Sequence, residues 1–139
     1  MKIVKQRKSQ GIQDKEGKPN TPLPDNYQAL EQGTKNREQL TGYPLEGELF
    51  EFSPDIAEYL KSHLFGDIFS RDAVSWQDRE IATISMLSVM TGTDGQLKSH
   101  IQMCLNLGIS SEKLVEVKTV LTEFVSKESG NKLNQFLSH

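Results

Sequence analysis

Cysteine is almost absent from the 139-residue sequence, which contains only Cys104. A single cysteine cannot form a disulfide within the chain, and such sparse usage is typical of a reducing compartment. The sequence also has no Cys-x-x-Cys pair. It therefore excludes chemistry that cycles between a dithiol and a disulfide.

Long apolar runs are absent as well. The longest apolar stretch, residues 81–90, is interrupted by Thr83, Ser85 and Ser88. It is much shorter than the roughly 20 residues that span a bilayer. The basic start, residues 1–8, is not followed by the apolar segment of a secretory signal. We therefore expect no membrane partner and a cytoplasmic location.

A strong net charge is also lacking. The formal net charge is −3 and the pI is near 5.6, so no basic surface indicates nucleic acid. The charge is uneven, because residues 1–20 contain six lysines or arginines against Asp14 and Glu16, which leaves −7 for the remainder. A short basic segment on an acidic body is usually a solvated tail. We therefore expect no nucleic-acid partner.

Proline is missing after residue 54, although all five prolines occur up to that point. Residues 1–48 are also rich in Gln, Asn, Gly and Lys. These features predict a partly ordered N-terminal arm over 1–48, extended or only partly helical, and a helical domain over 49–139. Two short apolar groups of the arm, residues 27–30 and 40–45, are candidates to pack on the body or on a neighbouring subunit.

The first and last predicted helices are defined by their end signals. Ser53 before a proline predicts a helix over about 54–65, and Gly66 is placed where the helix should end. A final helical stretch begins at Ser110 and is expected to be interrupted at residues 129–131.

The two central helices have clearer signals. Ser75 and Asp78 form a start similar to a capping box for a helix that runs to about Met90. The next helix is expected over about 96–107, with Gly108 as its stop. Because no segment alternates with period two over a useful length, the sequence predicts an all-α domain.

These central helices carry Glu80 and His100, two side chains that cost free energy to bury without a partner. In a symmetric hairpin about residues 92–94, Ser85 lies opposite His100, so Glu80 is offset by about five residues, or roughly 7 Å. A bridging water or a substrate could then fill the gap. In the alternative, Glu80 pairs with Arg79 or a lysine at the surface, and His100 is a satisfied core histidine.

Several segments of the sequence resemble the carboxymuconolactone decarboxylase family, over roughly residues 50–120 of the chain. They are Phe52-Ser53-Pro54, His63-Leu64-Phe65-Gly66-Asp67-Ile68-Phe69, Asp78-Arg79-Glu80, Leu97-Lys98-Ser99-His100 and Asn106-Leu107-Gly108-Ile109. The last three have the order and spacing of the family. The resemblance implies an all-α, alkylhydroperoxidase-D-like fold that assembles into homotrimers or homohexamers, with sites close to subunit contacts.

The resemblance also divides the possible functions. The branch similar to alkylhydroperoxidase D uses a Cys-x-x-Cys pair just before the histidine, whereas residues 93–100 contain no cysteine. Cys104 lies one turn after His100 on an apolar stripe, so it is predicted to be a core residue rather than a nucleophile. Dithiol peroxidase activity is therefore not expected.

The branch similar to γ-carboxymuconolactone decarboxylase has Lys-x-His without a catalytic cysteine, as Lys98 and His100 have here. It implies the loss of carbon dioxide from a small carboxylated lactone without a cofactor, and a small-molecule carboxylate as substrate. By this resemblance His100 is the candidate catalytic proton donor and Glu80 its catalytic partner. Arg79 or Lys98 is the candidate substrate-binding contact for an anion.

The remaining histidines have weaker interpretations. His63 lies on the apolar face of the first helix, where it is expected to pack or hydrogen-bond, or alternatively to line the substrate pocket. His63 and His100 are far apart in sequence and His139 is terminal, so no metal site is expected.

Two functional hypotheses follow. The first is a cofactor-independent lyase or isomerase that acts on a small carboxylated lactone. The second is a non-catalytic or partner-dependent oligomeric member of the fold, in which the arm and the helix faces mediate assembly. Residues 127–131 differ from the Gly- and Pro-containing segment at this point in the decarboxylase, which keeps the second hypothesis open.

Overall fold

Helices form the regular structure of this chain. The computed structural model describes residues 2–17 and 19–137. Helix covers 67% of the described residues, which contain no strand, so the all-α prediction is confirmed. The helices are α1 (Lys2–Ser9), α2 (Ala29–Thr41), α3 (Glu48–Phe52), α4 (Pro54–Tyr59), a π-helix that continues α4 (Leu60–Ile68), α5 (Trp76–Val89), α6 (Asp94–Asn106), α7 (Ser111–Phe124) and α8 (Lys127–Gln135).

The two central helices begin and end close to their predicted positions. Ser75 precedes α5 and its hydroxyl accepts a hydrogen bond from the backbone N–H of Asp78. The Ser75 hydroxyl also donates a hydrogen bond to the Asp78 carboxylate, with 2.7 Å between Oγ and Oδ2. Two hydrogen bonds between Ser75 and Asp78 therefore stabilise the start of α5. Gly108 follows α6 with a φ of 78°, a left-handed conformation that suits glycine after a helix.

The prediction that the first helix ends at Gly66 is wrong. Helix α4 continues into the π-helix, in which the backbone N–H of Phe69 donates to the carbonyl of Leu64, five residues earlier. Gly66 is needed for packing instead, because a Cβ there would lie 2.4 Å from the carbonyl oxygen of Ala29 in α2.

The predicted interruption at residues 129–131 is also wrong, since these residues lie inside α8. The break occurs between α7 and α8, where the hydroxyl of Ser126 accepts from the backbone N–H of Ser129 and caps α8. A Cβ on Gly130 would lie 1.9 Å from the Thr122 hydroxyl oxygen. This glycine therefore permits close contact between two helices rather than ending one.

Part of the N-terminal arm packs on the body. Helix α2 lies within the arm predicted over 1–48, and its backbone approaches the π-helix so closely that a Cβ on Gly33 would lie 1.7 Å from the carbonyl oxygen of Lys61. Leu40, from one of the two apolar groups, is fully buried. The boundary between arm and domain stays a prediction.

Two apolar clusters form the core, and α6 contributes to both. One cluster contains side chains from all four helices α5, α6, α7 and α8. Its members are Ile84, Leu97, Ile101, Cys104, Ile109, Leu114, Leu121 and Leu133. The other joins α2, the π-helix and α6 through Leu40, Phe65, Phe69 and Met103, with Trp76 packed against it. Ile101 and Met103 are two residues apart on α6 and pack into different clusters. Helix α6 therefore contacts both clusters. In residues 2–17 and 19–137, no helix is long and apolar enough to cross a bilayer.

The close approach of α2 and the π-helix yields a stability prediction. Gly33→Ala inserts a methyl group against the backbone of Lys61, so it should destabilise the protein by about 1–3 kcal/mol and lower the melting temperature by several degrees. The control is Gly95→Ala in α6, where an added Cβ meets open space and helix propensity should leave stability equal or slightly higher. Thermal unfolding by circular dichroism measures both, and equal melting temperatures for the two variants would contradict the packing described.

Candidate functional site

Glu80 enters the core from the second turn of α5. The cap at Ser75 fixes the start of this helix, and Glu80 lies one turn before the fully buried Ile84 on the same face. The Glu80 side chain has no exposed surface. A carboxylate in such a position requires a partner inside the protein.

His100 supplies that partner from α6. Its Nδ1 lies 2.6 Å from Oε2 of Glu80, a short contact that joins the two central helices. The contact exists despite the offset that a symmetric hairpin predicts, so no bridging water is needed. The His100 side chain is 21% exposed, so it reaches from the buried carboxylate to the protein surface.

The two imidazole nitrogens of His100 have different surroundings, because Nδ1 contacts Glu80 and Nε2 does not. When Glu80 is ionised its oxygen can only accept, so Nδ1 carries a proton and donates it to Oε2. Within residues 2–17 and 19–137, Nε2 of His100 has no hydrogen-bond partner. This nitrogen is therefore available to a hydrogen-bond partner from outside the described residues. The other carboxylate oxygen, Oε1 of Glu80, is buried and unpartnered among the same residues.

Cys104 lies in the core on the apolar side of the pair. Its side chain is fully buried. Burial and, to a smaller extent, the negative charge of Glu80 together raise the pKa of the thiol to about 12. The thiol is protonated at neutral pH, which makes it a poor nucleophile and agrees with its predicted core position.

Comparison with known proteins places this site in a family. The family model described as the carboxymuconolactone decarboxylase family matches residues 54–128, just over half of the chain, and includes both members of the pair. The chain belongs to the carboxymuconolactone decarboxylase family. Among curated proteins it is similar to 4-carboxymuconolactone decarboxylase of Acinetobacter baylyi, with 26% identity over 69 residues that cover 50% of this chain and 51% of that protein. The chain therefore spans about half the length of this relative.

Membership of the carboxymuconolactone decarboxylase family confirms the resemblance and the helical fold, while the residue roles remain predictions. Neither of the predicted anion contacts, Arg79 and Lys98, forms a hydrogen bond with the pair among the described residues. The guanidinium carbon of Arg79 lies 5.8 Å from the centre of the Phe69 ring, and its Nη2 donates to the carbonyl of Arg71. Nε of Arg79 is buried and has no partner among the described residues. Lys98 is exposed, and no hydrogen bond or ion pair holds it within the described part of the chain.

His63 forms a hydrogen bond, one of its predicted alternatives, but does not pack on an apolar face. Its side chain is 68% exposed, and its Nδ1 lies 3.3 Å from Oδ2 of Asp67 one turn later. The reason is the change from α-helix to π-helix at Leu60, which alters the residues that share a face after that point.

No group of three His, Cys, Asp or Glu side chains among the described residues is arranged to hold a metal ion. His139 lies outside the described residues. The main cavities that the described residues form are lined by neither Glu80 nor His100. A ligand can therefore approach the pair only at the exposed edge of the imidazole.

The raised pKa of Cys104 predicts a pH dependence of stability. Folding favours the neutral thiol, so this contribution is complete below the ordinary thiol pKa of 9.0 and is lost as the pH rises towards about 12. The stability difference between the wild type and Cys104→Ser should therefore shift against the wild type above pH 9. Urea unfolding of both proteins at pH 8 and pH 10 measures this difference in the free energy of unfolding. Because both proteins contain the same other titrating groups, the contributions of those groups cancel in the difference. A difference that does not change between these pH values would contradict the burial of the thiol.

Proposed function

We propose that this protein is a cofactor-independent lyase of the decarboxylase type that acts on a small carboxylated lactone. The observation that supports it most is the contact of 2.6 Å between Nδ1 of His100 and Oε2 of Glu80, with Nε2 unpartnered at the surface. A carboxylate that orients an imidazole and stabilises its charged form is a common arrangement for acid–base catalysis. The similarity to a 4-carboxymuconolactone decarboxylase supports the substrate class.

The proposed reaction needs one proton donor at carbon. His100 starts protonated on both ring nitrogens, with Nδ1–H held by Glu80 and Nε2–H facing the substrate. The bond between the substrate's carbon and its carboxylate breaks, carbon dioxide leaves, and the electron pair moves into the conjugated system of the lactone. The Nε2 proton is then transferred to carbon at the far end of that system, which shifts the double bond. The imidazole becomes neutral, keeps its Nδ1–H on Glu80, and regains a proton at Nε2 from water.

Burial of Glu80 would make this arrangement effective. A carboxylate in a site of low dielectric constant interacts more strongly with the imidazolium than one in water. Because the side chain is already fixed, no reorganisation is required when the proton moves. Glu80 would thus act through His100 and would not contact the substrate carbon.

The substrate's carboxylate also needs a cation. Arg79 and Lys98 are the proposed contacts, since one precedes Glu80 and the other lies two residues before His100. Lys98 is exposed and unpaired in the described part of the chain, so it could bind an anion without breaking an existing interaction. His63 is a weaker candidate, because its imidazole already contacts Asp67.

Replacement of the imidazole tests the proposal. His100→Gln keeps a donor for Glu80 but removes the group that titrates, so turnover of 4-carboxymuconolactone should decrease by about 10²- to 10⁴-fold. The melting temperature and the assembly should remain close to those of the wild type. Release of carbon dioxide and loss of the lactone's absorbance measure turnover.

Cys104→Ser is the matched control from the same helix. It should keep most of the activity, apart from a modest packing effect, because no second thiol exists to complete a redox cycle. Abolished turnover in a folded Cys104→Ser protein, or full turnover in His100→Gln, would refute the proposed mechanism.

A second candidate function is a non-catalytic or partner-dependent scaffold. The observation in its favour is that neither member of the pair lines the main cavities of the described residues. In that case His100→Gln affects stability alone. If the glutamine amide does not replace the imidazole, the buried Glu80 carboxylate loses its partner, which lowers the free energy of unfolding by about 1–3 kcal/mol. A lower melting temperature, with no turnover in the wild type, distinguishes this function from the first.

We also propose that the protein assembles as a homotrimer or homohexamer that completes the site. The described surface exposes several large apolar side chains, including Phe52 at 88%, Phe124 at 78% and Tyr59 at 73%. Exposed apolar surface of this kind is typical of subunit interfaces. A neighbouring subunit would also supply a wall around the exposed edge of His100, which lines none of the main cavities formed by the described residues.

The assembly proposal has a direct test in solution. Light scattering at micromolar concentration should give three or six times the 15.7 kDa chain mass. Phe124→Ser removes a mostly exposed ring at the end of α7 and should shift the protein towards smaller species, whereas Glu123→Ser, the neighbouring exposed residue, should not. A wild type that runs as a monomer would overturn the proposal.

A further inference from the structure

A separate cavity of about 560 Å³ lies between the N-terminal arm, the end of the π-helix and the start of α5. Its walls include the aromatic side chains of Tyr27, Phe69 and Trp76. This volume is in the range of pockets that hold small molecules. Neither Glu80 nor His100 lines it.

The polar part of the wall is a preformed network around Asn36, a side chain that is only 4% exposed. Its Nδ2 donates to the carbonyl of Phe65 at 2.7 Å and to the Ser70 hydroxyl at 3.1 Å, while its Oδ1 accepts from Gln32 at 2.8 Å. The Tyr27 hydroxyl lies 2.8 Å from that of Ser70. Because these groups satisfy one another, the wall is rigid before any ligand binds.

The aromatic part of the wall is also held in place. The rings of Phe69 and Trp76 meet edge to face, with centres 5.9 Å apart and planes inclined at 65°. The indole N–H of Trp76 donates to the Phe69 carbonyl at 2.7 Å. Fixed aromatic side chains offer apolar contact to a flat ligand at little entropic cost.

Arg71 is the cation in the lining of this cavity. Its Nε donates to the carbonyl of Asp67, but no carboxylate of the described residues pairs with it. Asp72, the acidic group in the lining, is already engaged, since both its oxygens accept hydrogen bonds from Thr21. These hydrogen bonds come from neutral donors and hold the pKa of the Asp72 carboxyl below its usual range, so Asp72 keeps its negative charge. The lining group that can pair with an anion is therefore Arg71, whose guanidinium has no carboxylate partner among the described residues.

The N-terminal arm closes one side of the cavity. Thr21 binds Asp72, and the backbone N–H of Ala73 donates to the side-chain oxygen of Asn20 at 3.1 Å. Tyr27 is fixed farther along the same segment through Ser70. The arm thus contributes wall residues and is tied to the loop that precedes α5.

We propose that this cavity is a binding site for a small planar anion, such as an aromatic or conjugated carboxylate. The aromatic walls contact the flat part of the ligand, the Asn36 network bounds one side, and the guanidinium of Arg71 binds the carboxylate. The site is independent of the proposed lyase chemistry, because it uses neither member of the Glu80 and His100 pair.

The chain offers a built-in probe, since Trp76 is its only tryptophan and lies in the cavity wall. Titration with benzoate should change the tryptophan fluorescence in a saturable way. Benzamide, the neutral analogue, should bind at least several-fold more weakly. Arg71→Gln should lower the affinity for benzoate by about tenfold, the effect of losing one charge-assisted hydrogen bond. The variant should also lose the preference for benzoate over benzamide.

Two controls separate this site from other effects. Lys113→Gln makes the same change of net charge at an exposed α7 pair with Glu116 and should leave benzoate binding unchanged. His100→Gln should also leave it unchanged, so loss of turnover and loss of this site are distinguishable.

A second variant addresses the cavity itself. Val74→Phe enlarges a half-exposed lining residue, so it should reduce benzoate affinity without a change of charge. The proposal is overturned by an absence of saturable fluorescence change at about 10 mM benzoate, a concentration well above that of a genuine small-ligand site. Equal affinity for benzoate and benzamide, or an undiminished affinity in Arg71→Gln, overturns it as well.

Discussion

The contact between Glu80 and His100 is the interaction on which the site depends. A carboxylate with no exposed surface is tolerated only with a partner, and the imidazole supplies one at 2.6 Å. The same contact fixes the orientation of the ring and leaves Nε2 without a partner among the described residues. One interaction thus joins the two central helices and orients the imidazole that we propose as the proton donor.

The position of α6 explains how a half-buried histidine can be held so firmly. Its side chains pack into both apolar clusters, Ile101 and Cys104 into one and Met103 into the other. His100 lies directly before Ile101 on the same helix. Small shifts of α6 would therefore disturb both clusters, which makes the helix a rigid support for the imidazole.

Local signals predicted much of the fold, because caps and left-handed glycines depend on a few adjacent residues. Ser75, Ser110 and Gly108 are examples, and the helices next to them begin or end close to the predicted positions. Gly66 and Gly130 misled the prediction, since each serves contact with a helix distant in sequence, and a single-sequence pattern contains no information on such contacts. For the same reason the sequence identified Glu80 and His100 as candidates but not their direct contact, which depends on how α5 and α6 pack.

The central claim concerns the proton between the two side chains, and nitrogen NMR of the labelled imidazole tests it most directly. The account predicts that at neutral pH Nδ1 of His100 carries a proton in slow exchange with water, and that this signal changes in Glu80→Gln. A His100 ring with an unprotonated Nδ1 and a proton fixed on Nε2 would contradict the account, because Glu80 would then have to be the proton donor of the pair.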